Sequence, residues 1–319
     1  MSANFPQTEQ HSPWTGRDDG PGPEHRRWHH LATRAGSGEG PWVGVVGFAS
    51  DEGVRRNKGR PGAAEAPPLL RQALAGLAVH REFTLLDHGD TGYEGTDLEV
   101  GHDAVGDAIA ASLDADDLTI VLGGGHETAW GCYLGRSRSQ RLGGGEAMGR
   151  TVVVNLDAHF DLREAPEPSS GTPFLQMARA EQAAGRALDY TVIGLADPSN
   201  TAILFDTARA LGVRWLTDVE STAERALALV DELLARADHV HLEIDLDVLP
   251  ADLAPGVSAP AALGVPLPVC SAVVRRLAAS GKLRLVDVAE YNPQLDLDSR
   301  TAKVAARLVT DIVHALPGE

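Results

Sequence analysis

The chain has 319 residues, 43% of them hydrophobic, and a formal net charge of −17, enough apolar material for one large α/β domain or two small ones. So acidic a protein is a poor partner for nucleic acid or an anionic membrane, both of which select basic surfaces. Two cysteines outside any CxxC spacing exclude a thiolate zinc site; the lack of a bilayer-length apolar run and of a signal-peptide core predicts a cytoplasmic protein.

Residues 1–40 are rich in Pro, Gly and charge without sustained periodicity, so they read as an arm on or near the core; residues 41–319 read as a single catalytic domain. Strands are predicted at 42–49, 83–88, 118–122, 151–156, 190–195, 213–216, 239–246 and 283–289. Helical patterns fall between them at 67–77, 103–113, 173–184, 200–211, 223–237, 268–279 and 299–316. This alternation predicts a three-layer αβα sandwich around a mainly parallel sheet of about eight strands. Gly143, Gly144 and Gly145 are expected to form a flexible loop between a helix and the fourth of these strands. Ligands of such sheets bind beyond the carboxyl ends of the strands.

Groups suited to metal binding lie at those ends. LGGGHE places His126 after one strand, VNLDAHFD places Asp157, His159 and Asp161 after another, and LEIDLDVL places Asp245 and Asp247 at a third. If the extended backbone continues, side chains at i, i+2 and i+4 share a face about 6 to 7 Å apart, which predicts that Asp157, His159 and Asp161 point together. Clustered buried carboxylates repel and lose hydration unless cations compensate them. Two divalent ions would neutralise four of them. Carboxylate oxygen with imidazole suits Mn²⁺ best, with zinc and iron open as alternatives. Glu243, His241 and His239 share the strand face of Asp245 and are expected to support the ligands rather than bind metal. GGG at 123–125 lacks P-loop spacing and is taken to make backbone room beside the metals.

GGGHE, DAHFD and DLDVL, in this order and each after a strand, resemble the metal motifs of the arginase, agmatinase and formimidoylglutamase superfamily, the ureohydrolases. SDEGVRRNKGRPGAAEAP from Ser50, SSGTPF from Ser169, LPADLAPGVSAPA from Leu249 and the arm segment WTGRDDGPGPEHRRWHH from Trp14 are similar to the formimidoylglutamase branch. The resemblance runs from Trp14 to the end of the chain.

It implies a binuclear Mn²⁺ centre, with His126, Asp161, Asp157 and Asp245 around one ion, and His159, Asp247, Asp157 and Asp245 around the other, Asp157 and Asp245 bridging. It further implies hydrolysis of N-formimidoyl-L-glutamate to L-glutamate and formamide, a step of histidine degradation, with Glu290 holding the amidinium head; Asp161, a ligand next to the water such ions would share, is expected to take that water's proton and pass it on. Phe174 stands where arginases carry a histidine for proton transfer, which tells against an arginase and leaves the donor to the departing nitrogen unassigned. For the carboxylates of this small anionic substrate, Arg55 or Arg56 is the expected fork, with Asn57, Ser169, Ser170 and Gly171 supplying further donors. A trimer or hexamer follows from the family resemblance alone. Alternatives are a ureohydrolase acting on agmatine or guanidinobutyrate, and, from another class, a deacetylase-like amidohydrolase or a non-catalytic metal-binding relative.

Overall fold

A computed structural model describes residues 12–33, 40–93, 95–142 and 149–318. The glycines at 143–145 lie outside the described residues. The predicted eight strands are present as β2 (Trp42–Phe48), β3 (Thr84–Thr91), β4 (Leu118–Leu122), β5 (Thr151–Leu156), β6 (Asp189–Leu195), β7 (Arg214–Thr217), β8 (His239–Asp245) and β9 (Leu283–Ala289). A ninth, β1 (Ala32–Thr33), is two residues of the arm laid against β3. The sheet is parallel throughout, in the order β1-β3-β2-β4-β9-β8-β5-β6-β7. So short a strand carries no period for sequence to reveal. The arm is also fixed by Trp28, fully buried with its ring edge-on to Phe83, and by Trp14 Nε1, which donates to Asp87 Oδ2 at 2.6 Å.

Ten α-helices are described: α1 (Trp28–Leu31), α2 (Glu52–Arg56), α3 (Ala66–Ala75), α4 (Leu98–Ala115), α5 (Thr128–Arg138), α6 (Pro173–Ala183), α7 (Ala202–Leu211), α8 (Ala223–Leu234), α9 (Leu267–Ala279) and α10 (Arg300–Ala315). Helices α3, α10, α9 and α8 cover one face; α4, α5, α6 and α7 cover the other. Alternation along the strands sorts the sheet's side chains between them. Val240, Leu242 and Ile244 of β8 join the core under α8 to α10, with Val152, Val154 and Leu156 of β5 and Val286 and Val288 of β9.

The opposite face of the same strands is polar at its centre. His241, Glu243 and Asp245 of β8, Asn155 of β5 and Asp287 of β9 are all buried there, and α5 roofs this stripe, with Cys132 facing His241 and Asp287. Helix α5 fills the place of the helix expected before the 143–145 loop, a helix to which the glycine-rich stretch GGGHETAWGCYLGRSRS gave no bounds. Two of its glycines have a packing cause: a β-carbon on Gly131 would strike Val105, and one on Gly135 would meet Ile109 at 2.5 Å, both side chains of α4. Close approach of two helices, rather than loop flexibility, selects glycine there. Helix α4 itself starts five residues before the predicted position, where the Asp97 side chain caps it by accepting from Val100 N at 3.2 Å.

Candidate metal centre

The three motifs converge beyond the C-terminal ends of β4, β5 and β8. His126 Nδ1 lies 3.3 Å from Asp157 Oδ2, 3.0 Å from Asp161 Oδ2 and 3.1 Å from Asp245 Oδ2. His159 Nδ1 lies 3.0 Å from Asp247 Oδ2 and 3.5 Å from Asp157 Oδ1. Within each set the ligand atoms are all within 4.8 Å of one another, and Asp157 belongs to both. Asp245 groups with the first set only; its Oδ1 accepts the backbone N–H of Asp247 at 2.9 Å.

The route by which Asp157, His159 and Asp161 come together differs from the predicted one. Strand β5 stops at Leu156, and DAHFD is an irregular loop in which Asp161 has φ +46°. Aspartate tolerates this left-handed backbone better than most residues. Asp157 N donates to Ile193 O as the last rung of the β5–β6 ladder, and beyond it Asn200 Oδ1 accepts Phe160 N at 3.1 Å and Asn200 Nδ2 donates to Ala158 O at 3.0 Å. Asn200 thus pins the loop. Strand β8 likewise gives way to a single 3₁₀ turn, Leu246–Val248, directly after Asp245.

Four carboxylates and two imidazoles at this density need positive charge. Burial disfavours an imidazolium at His126, yet Asp157, Asp161, Asp245 and Glu243 around the ring together hold its pKa well above the ordinary range. Burial, followed by the charges of Asp247 and Asp157, pushes the Asp245 carboxyl up. Burial and Asp157 do the same to Asp161. Protons are thus being drawn to a place where cations would serve better. Both ring nitrogens of His126 are buried without a hydrogen-bond partner, so the donor set fits divalent metal: hard oxygens with imidazole, sharing one carboxylate.

Neighbouring residues orient the ligands. Asn155 Nδ2 donates to Asp157 Oδ2 at 2.8 Å and to Tyr190 Oη at 3.1 Å, and the Tyr190 hydroxyl donates to Phe160 O at 3.1 Å. His126 Nε2 faces Glu243 Oε2 at 3.6 Å; His241 Nδ1 stands 3.3 Å from Glu243 Oε1, and its Nε2 is 3.0 Å from Asp287 Oδ2. Burial, then the charge of Glu243, pushes the Asp287 carboxyl up to about 7. A carboxylate behind a ligating histidine fixes the ring and its tautomer, which is the supporting place expected for Glu243 and His241.

Glu290 follows β9 with φ +65°; its Oε1 accepts from His126 N at 2.9 Å, and its own N–H donates to Gly124 O at 2.8 Å. Burial, then the Glu127 charge, raises its pKa to about 8. Sequence reasoning passed over Glu127. Buried completely, it accepts from Ser50 Oγ at 2.7 Å and Gly53 N at 3.0 Å, clamping the loop after β2 to the loop after β4. This corrects the reason for the glycines at 123–125. A β-carbon on Gly124 would overlap the Ser50 backbone, and on Gly125 the Glu127 and Val54 side chains, so the room they make is for a neighbouring loop rather than for metal.

Arg56 is a second correction. Its guanidinium serves Glu52, Glu99, Thr96 O and Pro168 O, with its side chain only 10% exposed. Arg55 is half exposed but gives its fork to Glu52 at 2.6 and 2.5 Å. Both arginines fasten α2 and its surroundings. Ser169 is likewise engaged in a reciprocal turn with Thr172 before α6. Asn57 Nδ2 donates to Ser170 Oγ at 3.1 Å, and a β-carbon on Gly171 would meet Arg163 Cδ at 2.8 Å and the Asn57 amide at 3.0 Å. Arg163, two residues past Asp161, is exposed and makes no ion pair among the described residues. Phe174 is fully buried, stacked on Tyr190 with centroids 4.2 Å apart and edge-on to His126 at 5.4 Å. No helix among the described residues is long and apolar enough to cross a membrane.

A family model described as the arginase family matches residues 42–315. A formimidoylglutamase of Nocardia farcinica (strain IFM 10152) is 56% identical over 301 residues, spanning 94% of this chain and 95% of the relative. One from Rhodococcus opacus (strain B4) is 50% identical over 305 residues, 94% of each chain. Among solved structures, the Trypanosoma cruzi formiminoglutamase with Mn²⁺₂ shares the fold with a TM-score of 0.77 at 23% identity, covering 86% of this chain and 94% of that one. The formimidoylglutamase from Bacillus subtilis subsp. subtilis str. 168 gives a TM-score of 0.78 at 21% identity over 91% of both chains. With a family match over most of its length and relatives this close, the chain belongs to the arginase family.

Proposed function

We propose that this protein is a binuclear manganese formimidoylglutamase, hydrolysing N-formimidoyl-L-glutamate to L-glutamate and formamide. The observation that carries the reading is the pair of ligand sets sharing the buried Asp157, in a chain 56% identical over nearly its whole length to a formimidoylglutamase. His126, Asp157, Asp161 and Asp245 would hold one ion; His159, Asp247, Asp157 and Asp245 would hold the other. Such a pair supplies a nucleophilic hydroxide at neutral pH.

The chain's own groups account for the rest of the chemistry. Water adds to the amidinium carbon, the bond from that carbon to the glutamate nitrogen breaks, and both water protons end on that nitrogen, which departs as the ammonium of glutamate; one of them must arrive before the bond breaks. Asp161, whose carboxyl is pushed up by burial and by Asp157, accepts that proton and returns it. Glu290 faces the amidinium head. With a pKa near 8 it binds a proton readily when unpartnered, and an arriving cation favours its ionised form. Phe174 packs against His126 and Tyr190, so no histidine performs proton transfer at that position. At the rim, Arg163 is the guanidinium with capacity to spare for a substrate carboxylate, beside Asn57, Ser170 and Gly171.

The test is a substrate panel. Purified protein loaded with Mn²⁺ should release formamide and glutamate from N-formimidoyl-L-glutamate, and no urea from agmatine or guanidinobutyrate. Urea without formamide would overturn the assignment.

A further inference from the structure

At the opposite edge of the sheet, where β5, β6 and β7 begin, lies a cavity of about 670 Å³, within the size range of small-molecule sites. Strand β5 runs six residues from this cavity to the metal-binding loop, a separation of about 20 Å at roughly 3.3 Å per residue. The cavity belongs to no part of the proposed reaction. In a chain of net charge −17 its lining among the described residues has five arginines, Arg136, Arg150, Arg186, Arg214 and Arg236, against two carboxylates, Glu181 and Asp189.

The pairing among these groups is incomplete. Asp189 serves both Arg150 and Arg236, at 2.9 and 2.7 Å. Glu181 takes Arg186 at 2.6 Å, and Arg214 turns to Glu232 outside the lining. That leaves Arg136, in the last turn of α5, with only 3% of its surface exposed. Its Nη2 is 3.6 Å from Glu181, its guanidinium lies 5.1 Å from the Tyr133 ring centroid, and its Nε has no hydrogen-bond partner. A desolvated guanidinium with one long ion pair is costly to maintain, and burial accordingly depresses its pKa. An oxyanion entering the cavity would satisfy Arg136 and draw on the forks of Arg150 and Arg186.

We propose that this cavity is a second ligand site, separate from the metal centre, that binds a small dianion carrying phosphate or two carboxylates. The proposal is independent of the substrate assignment, because its readout is binding itself. The Mn²⁺-loaded protein is titrated calorimetrically with inorganic phosphate and with succinate at fixed ionic strength, alongside Arg150→Gln, Arg186→Gln and Arg136→Gln. Saturable binding is expected, weakened about tenfold or more by removal of a contributing guanidinium. The partly exposed Arg150 and Arg186 keep the test valid if Arg136→Gln fails to fold. Preference for phosphate assigns a phosphoryl ligand, and preference for succinate a dicarboxylate. Absence of saturable binding, or binding of equal strength in wild type and in the folded variants, overturns the site.

Discussion

Replacing Glu243 with glutamine separates support of a metal ligand from support of the fold. Glu243 Oε2 is the nearest acceptor to His126 Nε2, at 3.6 Å, and lies in a fully buried environment where burial raises its own pKa. Its negative charge steadies the proton on Nε2, keeps Nδ1 turned toward Asp157, Asp161 and Asp245, and makes the imidazole a stronger donor. Loss of such a partner typically lowers metal affinity 10- to 100-fold, about 1.4 to 2.8 kcal/mol. Glutamine keeps the volume and removes a buried charge, whose desolvation opposes folding. The variant is therefore expected to melt no lower than wild type in the presence of chelator. With manganese, the gain in melting temperature should shrink. Competition against a fluorescent chelator reads the affinity, and calorimetry in chelator reads the fold. Unchanged affinity for the more weakly held ion and for the tighter one, in a folded variant, would refute the role assigned to Glu243; a variant that unfolds in chelator would show instead that the charge holds the polar stripe together.

Asp157→Asn removes a carboxylate assigned to both ions, the one that both clusters of the structure contain, so elemental analysis should find well below one manganese per chain and turnover should drop to background. Retention of two ions would contradict the shared-ligand geometry. Arg163→Gln should raise KM about tenfold or more with little change in kcat, whereas Arg56→Gln should lower stability by about 2 to 3 kcal/mol, because it strips Glu52 and Glu99 of a nearly buried partner; steady-state kinetics and denaturant titration of the two variants decide between them. His102, buried in α4 with its Nε2 at 2.9 Å from Glu127 O, has its pKa lowered by burial to about 4 from an ordinary 6.5. Because the folded value is the lower one, the unfolded chain binds the proton first as pH falls. The contribution is complete above pH 6.5 and is lost toward pH 4, about 3 kcal/mol in all. His102→Gln should flatten the pH dependence of stability across that window; an unchanged slope would show that His102 titrates alike in both states.

That the candidate metal ligands cluster was legible because their chemistry is written in short motifs: acidic and imidazole groups directly after apolar runs are costly anywhere except around a cation. The strands were legible for the same reason of contrast, since a sheet covered on both faces demands nearly unbroken apolar segments. The geometry between motifs was less so. Nothing in DAHFD announces that the ladder ends at Leu156, because the residue that turns the loop, Asn200, is 40 or more positions away. The fate of the Arg55 and Arg56 pair turned instead on a near neighbour. A basic run near serines and glycines suggests an anion site, but Glu52 sits one helical turn before each arginine and takes them both.

Helix α5 shows why local composition left a helix without bounds. Glycine is a weak helix former, and three glycines preceding His126 with two more in the next ten residues lower any helical expectation. The helix forms nonetheless because each of those two glycines lets α4 approach until Val105 and Ile109 occupy the space of a missing β-carbon. This tertiary contact outweighs the local preference. It also sets the height of α5 above the sheet, and with it the place of His126 just before the helix begins and of Arg136 in its last turn. Between those two residues the polar stripe of Glu243, His241 and Asp287 is sealed from water. Three buried ionisable groups in line under one helix require that the helix not slide. The small residues at its interface with α4 therefore belong to the site as much as the ligands do, since a displaced α5 would carry His126 away from Asp157, Asp161 and Asp245.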